Sequence, residues 1–282
     1  MIIKKILIPA AGFGTRFAPF TQAVPKELLP LLNVPVIDYV LKEAFDAGLK
    51  DVVSIVSGAK KSFEDHVEAL VAAKQNGNAF FVRQREQKGL GHAVWCARGC
   101  YFDELVPVML PDNIFVGGHT PFEAMIPFAQ KHGVSIIAVQ EVAADQVEKY
   151  GIADVGKMVD GNIFQLNRVV EKPRRDKSPS NLAIVGRYIL HSDIFVCLEK
   201  TSQGFGGEYQ LTDAIQLLID SGRPVYAYKI QSKFCDVGTP SGWLETVLAI
   251  ASTDANLRII IKESIFASSV SRSRDSVKEL AQ

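Results

Sequence analysis

The chain has 282 residues, 48% hydrophobic and 22% charged, which suits one large α/β domain with a substantial core or two small ones. Lysine plus arginine and aspartate plus glutamate both number 31, so no overall field draws the chain to nucleic acid or to an anionic membrane. No apolar run reaches the ~20 residues of a membrane span, and Lys4 and Lys5 interrupt the first apolar stretch, unlike a signal peptide. Cys96, Cys100, Cys197 and Cys235 have no framework spacing. A cytoplasmic protein without nucleic-acid or membrane partners is expected. Cys96 and Cys100 would share one helix face, but without a second Cys/His pair they read as small buried hydrophobes.

In chain order, residues 2–8 form an apolar strand that runs into Pro9-Ala10-Ala11-Gly12-Phe13-Gly14-Thr15-Arg16. Pro35 opens a helix with apolar positions Val36, Ile37, Val40, Leu41 and Phe45, and Gly48 fits its stop. Further strands are expected at 51–56, 79–82, 106–110 and 134–140, with a helix over 121–131. Short apolar strands alternating with helices imply a mostly parallel sheet covered on both faces. From about Ala144 the alternation loosens. Strands at 163–170 and 184–190 bracket a polar loop, followed by a helix at 211–219, a strand at 225–230 and a helix at 242–252. No linker and no repeat is visible, so one domain over 1–263 is expected, with a regularly alternating part at about 1–140 and a less regular part at about 141–263. The tail 264–282 is polar and expected to be mobile.

A strand followed by a small-residue turn lets backbone amides approach a ligand closely and suits a polyphosphate. Phe17 stands where a dinucleotide fingerprint needs its third glycine, and no Gly-Lys-Ser/Thr completes a P-loop. Instead a cation, Arg16, lies in the turn, and a second, Lys26, follows in Val24-Pro25-Lys26-Glu27-Leu28-Leu29-Pro30. Two cations beside an amide nest fit a nucleoside triphosphate. In α/β sheets ligands bind beyond the carboxyl ends of the strands, and Gly12, Gln84 and Asp112 each follow an expected strand.

These two segments resemble the signature of the sugar-1-phosphate nucleotidylyltransferases. Gly89-Leu90-Gly91-His92-Ala93-Val94, Val170-Glu171-Lys172-Pro173, the block from Pro179 to Tyr188 and Glu208-Tyr209-Gln210-Leu211-Thr212-Asp213-Ala214 narrow the likeness to the bacterial UTP–glucose-1-phosphate uridylyltransferases. The match runs from the first strand to about Trp243. It implies a Rossmann-like, mostly parallel mixed sheet flanked by helices, of the nucleotide-diphospho-sugar transferase type. It also implies a homo-oligomer, although only one helix's worth of residues separates His66 from Phe80, where the family commonly carries a longer insertion.

The reaction implied is attack of a glucose 1-phosphate oxygen on the α-phosphorus of UTP. Both reactants are anions and the nucleophile is already ionised, so positioning, cations and a hard metal matter more than a general base. By the resemblance, Ala10, Ala11, Gly12, Gly14 and Thr15 contact the nucleotide, Arg16 holds the β/γ-phosphates and Lys26 the α/β side. Gln84 and Gly89 read the uracil, the Gln84 amide both donating and accepting, while His92 has a structural role at a helix start. Asp112 and Asp236 hold Mg²⁺, with Asn113 where the family often has a second acid. Glu171 accepts sugar hydroxyls, Lys172 reaches the sugar phosphate with its side chain diverging from Glu171, and Gly151, Ile184 and Gly186 give the hexose backbone and space. The Asp236-Val237-Gly238-Thr239 run is similar to the thymidylyl branch, so a sister enzyme using dTTP is the first alternative. A non-catalytic nucleotide-sugar-binding paralogue would be expected to lack Lys26, Asp112 or Lys172, and the missing glycine disfavours a dehydrogenase.

Overall fold

Apolar runs buried on both faces make the central strands: Ile6, Leu7 and Ile8 have no exposed surface. Period-2 alternation sends Ile6 and Ile8 into one hydrophobic cluster and Leu7 into the other. The computed structural model describes residues 3–58, 60–74, 77–102 and 104–263, so the expected mobile tail lies outside the described residues.

The strands are β1 (Lys5–Pro9), β2 (Pro30–Leu31), β3 (Val34–Pro35), β4 (Asp51–Val56), β5 (Ala79–Arg83), β6 (Leu105–Met109), β7 (Asn113–Val116), β8 (Ser135–Glu141), β9 (Gly151–Asp160), β10 (Ile163–Glu171), β11 (Leu182–His191), β12 (Val225–Lys229) and β13 (Lys233–Asp236). The helices are α1 (Val36–Asp46), α2 (Lys61–Ala73), α3 (Leu90–Cys96), α4 (Pro121–His132), α5 (Ile194–Lys200), α6 (Leu211–Asp220) and α7 (Pro240–Ala251). Nine strands form one sheet in the order β5-β4-β1-β6-β11-β8-β12-β10-β9. The pairs β5/β4, β4/β1, β1/β6 and β8/β12 are parallel, as the βα alternation requires. The later strands β9, β10 and β11 add antiparallel pairings, and β11 sits between β6 and β8. The segments before and after about residue 140 therefore share one sheet. Cys96 ends α3 and Cys100 lies in the following 3₁₀ turn, Arg98–Cys100, so the two do not share a helix face.

Two features place the site. A separate two-stranded ribbon pairs β13 with β7 and sets Asp236 opposite Asn113, next to Asp112. Beneath it, Arg187 on β11 is wholly buried and donates to the Glu43 carboxylate of α1, with Nη2 2.8 Å from Oε2. The same guanidinium donates to the carbonyls of Asn113 at 2.8 Å and of Leu110 and Gly186 at 3.2 Å. It ties both ends of the turn that carries Asp112 to the sheet.

Replacing Arg187 with methionine would strand Glu43 and those carbonyls away from water. Loss of one partner of a buried ion pair costs about 3–5 kcal/mol, so denaturant unfolding should show Arg187→Met destabilised by that amount. A loss below ~1 kcal/mol would mean that the pair does not hold the turn.

Candidate active site

The carboxyl ends of β1 and β6 open onto a cleft of about 510 Å³, whose lining includes Arg16, Lys26, Asp112, Glu171, Lys172 and Asp236. Residues 12–16 form its floor on the β1 side. Ala10 N–H donates to Ile55, whereas the N–H groups of Ala11, Gly12, Phe13, Gly14, Thr15 and Arg16 find no acceptor among the described residues. Ala10 is buried in the core and does not line the cleft. Gly14 has φ +66°, and a Cβ there would lie 3.2 Å from the Lys26 Cβ, so glycine lets the turn and the lysine segment close on each other.

Lys26 Nζ donates to Asp112 Oδ2 at 2.6 Å, with both side chains about three-quarters or more buried. Burial pushes the lysine down, but the Asp112 and Glu27 carboxylates outweigh it and hold the ammonium above its ordinary value. Burial likewise pushes Asp112 up, and Lys26 brings it below the ordinary carboxylate range. Asp236 goes the other way: burial and the Asp112 charge raise it, opposed by the Gly238 N–H and by Lys26 and Arg16. A carbon added at Gly238 would lie 2.9 Å from Asp236 Oδ1, 3.4 Å from Asp112 Oδ2 and 3.8 Å from Arg16 Nη1. Both carboxylates and the guanidinium thus face one small space, and Val237 N–H, 2.8 Å from the Asp112 carbonyl, locks the two loops together. Behind Lys26, Lys60 Nζ donates to both Glu27 oxygens at 2.8 and 2.7 Å, with both side chains buried. Burial lowers the Lys60 ammonium and Glu27 partly restores it.

Lys172 departs from the expected geometry. Its φ of +42° takes it out of strand conformation, so its side chain returns toward Glu171 instead of diverging, with Nζ 3.5 Å from Oε1. The same ammonium lies 4.9 Å from the centre of the Phe205 ring. Thr212 Oγ1 donates to the other Glu171 oxygen at 2.7 Å. Gly151 and Ile184 line this end of the cleft, but Gly186 does not. Gly186 has φ +65°, and a Cβ there would overlap the Asn113 Oδ1, so glycine is required by close packing under the Asp112 turn, not by open space for a ligand.

Gln84 and Gly89 line the adjoining recess with Ala11 and Leu90. Gln84 Nε2 lies 2.9 Å from His92 Nδ1 and 3.3 Å from the Gly89 carbonyl, so both amide hydrogens are used within the protein and only Oε1 is left to accept. His92 stands at the start of α3, as expected. Thr212, Lys60 and Arg187 were not singled out by the sequence. Thr212 and Arg187 fall inside the quoted motif blocks, whereas Lys60 stands in an ordinary helix-start context with no signal of its own. Among the described residues no group of three or more His, Cys, Asp or Glu side chains is placed to hold a metal, and no helix is long and apolar enough to cross a membrane.

Comparison with known proteins places this geometry. Residues 5–253 match the Nucleotidyl transferase family. The UTP–glucose-1-phosphate uridylyltransferase of Bacillus subtilis (strain 168) is 41% identical over 276 residues, covering 91% of this chain and 94% of that one. A UDP-glucose pyrophosphorylase crystallised with UDP-glucose superimposes with a TM-score of 0.82 at 34% identity, over 90% of this chain and 100% of that one. A UTP-bound UGPase from Acinetobacter baumannii gives the same TM-score, 0.82, at 33% identity over 94% and 99% of the two chains. The chain belongs to the nucleotidyl transferase family.

Lys26→Met keeps the stem and removes the charge that holds Asp112 low. Carboxyl-carbon NMR titration of the variant should show Asp112 raised relative to the wild type. An unmoved Asp112 would contradict the pairing.

Proposed function

We propose that this nucleotidyl transferase carries UMP from UTP to glucose 1-phosphate, forming UDP-glucose and releasing pyrophosphate. The observation that carries the reading is the pairing of Lys26 with Asp112 beside Asp236 and Arg16, at the mouth of a turn with free backbone amides. That arrangement provides oriented N–H groups and two cations for a triphosphate. The likeness to UTP–glucose-1-phosphate uridylyltransferases supplies the substrate pair.

The amides of residues 11–16 cradle the phosphates, Arg16 holds the β/γ-phosphates that become pyrophosphate, and Lys26 faces the α-phosphate side. The Gln84–Gly89 recess takes the base. Glu171, fixed by Thr212, accepts hexose hydroxyls near Gly151 and Ile184. Lys172, held between Glu171 and Phe205, meets the phosphate of the attacking sugar. Binding both anions in one cleft converts a bimolecular encounter of like charges into an attack within a single complex. The nucleotide-binding groups come mainly from about 1–140 and the sugar-binding groups from about 141–263.

A divalent cation fits the pair Asp112 and Asp236. Both donors are hard oxygens opening on one space, where burial and then the Asp112 charge raise Asp236. Two carboxylates, with no third His, Cys, Asp or Glu grouped with them among the described residues, suit Mg²⁺, which would draw its remaining ligands from phosphate and water. When bound, the ion neutralises phosphate charge at the transferring group. Self-association, which the resemblance implies, has an apolar surface available in Leu244 and Leu248 of α7 with Ile259 and Ile260 beyond it, all exposed.

Pyrophosphate release measured across UTP, dTTP, CTP and ATP with glucose, galactose and mannose 1-phosphates tests the reading. The highest kcat/KM should fall to UTP with glucose 1-phosphate, and turnover should vanish in EDTA and return with Mg²⁺. A preference for dTTP would move the chain to the thymidylyl branch, and full turnover without metal would remove both aspartates from a metal role.

A further inference from the structure

Gln84 follows β5 and is 4% exposed. A carbonyl oxygen can only accept a hydrogen bond, so the Gln84 atom 3.3 Å from the Gly89 carbonyl is the amide nitrogen. Its second hydrogen points at His92 Nδ1, 2.9 Å away, which must be the unprotonated ring nitrogen to receive it. Oε1 then has no partner among the described residues, in a recess shared with Ala11, Gly89 and Leu90. An amide restricted to accepting pairs with the N3–H of uracil. Cytosine carries a lone pair at N3, and two acceptors would meet.

We propose that His92 is a positioning residue for base selection. Its neutral imidazole accepts from Gln84 and so holds Oε1 toward the pyrimidine, and a proton on Nδ1 relaxes discrimination between UTP and CTP. This rests on the reading of the cleft as a UTP site. Protonated, Nδ1 becomes a donor and calls for Oε1, while the Gly89 carbonyl still calls for the NH₂. No single amide orientation satisfies both, so Gln84 loses its fixed direction.

The surroundings favour the neutral ring. Lys88 and Glu86, paired to each other at 2.6 Å, face it from the loop before α3. The Tyr209 ring, from the segment preceding α6, lies 6.4 Å away, and Trp95 stacks at 6.0 Å along α3 itself. Burial and the Lys88 charge lower the imidazole, with Glu86 opposing them. The ring therefore stays neutral above its ordinary range of about 6.5 and gains its proton only below it.

The test is kcat/KM for UTP, CTP and dTTP with the wild type, His92→Ala and His92→Asn, from about pH 8 to about pH 5.5, with circular dichroism confirming the fold. Calorimetric binding of UMP and CMP supplies a readout independent of turnover. The wild-type UTP/CTP ratio should be constant while the ring is neutral and fall about tenfold as it protonates, the worth of one buried hydrogen bond. His92→Ala should show the reduced ratio at every pH. His92→Asn, whose Oδ1 can accept from Gln84 and does not titrate, should keep the high ratio at every pH. Uracil and thymine present the same N3–H, so UTP/dTTP should stay put throughout. The proposal is overturned if His92→Ala keeps the wild-type UTP/CTP ratio, if His92→Asn keeps the pH dependence, or if both ratios fall together, which would be general loosening of the recess. A wild type that does not use UTP would instead refute the functional reading itself.

Discussion

Charges held away from water constrain this molecule more than anything else. Taking an ion out of water costs several kcal/mol, recovered only when a partner sits at close range with its remaining hydrogen-bonding positions filled. Arg187 with Glu43, Lys60 with Glu27, and Lys26 with Asp112 meet that condition at 2.8, 2.7 and 2.6 Å. The first two pairs lie behind the cleft and the third inside it. Arg187 fixes the turn on both sides of Asp112, and Lys60 fixes the residue next to Lys26. The Lys26–Asp112 pair is therefore set by two pairs that do not line the cleft.

The chemistry follows from this arrangement. No histidine and no cysteine lines the main cleft among the described residues, and its titratable side chains are Arg, Lys, Asp, Glu and Tyr. Such a lining is poor in proton shuttles and rich in fixed charge, which suits phosphoryl-group transfer between anions, where the barrier lies in bringing charge together. Lys26 is shared between Asp112 and the space the triphosphate would take. Asp236, raised by burial and by the Asp112 charge, faces the same space, where a cation would draw on both carboxylates.

Much of this was legible in the residues. The apolar runs gave β4, β5, β6 and β8 within one residue at each end, and β1 with a start three residues early; for the inner strands this is because burial on both faces leaves a continuous hydrophobic signal. The turn after β1, with Arg16 and Lys26, carried its chemistry in residue type alone. Strand β9 was not legible, since its second half is exposed and shows no alternation toward a core. The β7–β13 ribbon was not legible either: two four-residue strands 120 residues apart leave no periodic trace, yet their pairing brings Asp236 to Asp112. Gly186 was misread for a related reason. Its glycine answers to Asn113, which is distant in sequence, and Lys172 returns to Glu171 only because its backbone leaves the strand region.

The central claim is that the sugar phosphate attacks the α-phosphorus directly, assisted by placed charge and a bound divalent cation, with no protein side chain bonded to the uridylyl group on the way. The stereochemical course decides it most directly. UTP made chiral at the α-phosphorus by sulfur substitution is turned over with glucose 1-phosphate, and the configuration of the UDP-glucose formed is read by ³¹P NMR. A single displacement predicts inversion. Retention would require a covalent uridylyl-enzyme, with Lys26 or Lys172 the side chain to suspect, and would contradict the account.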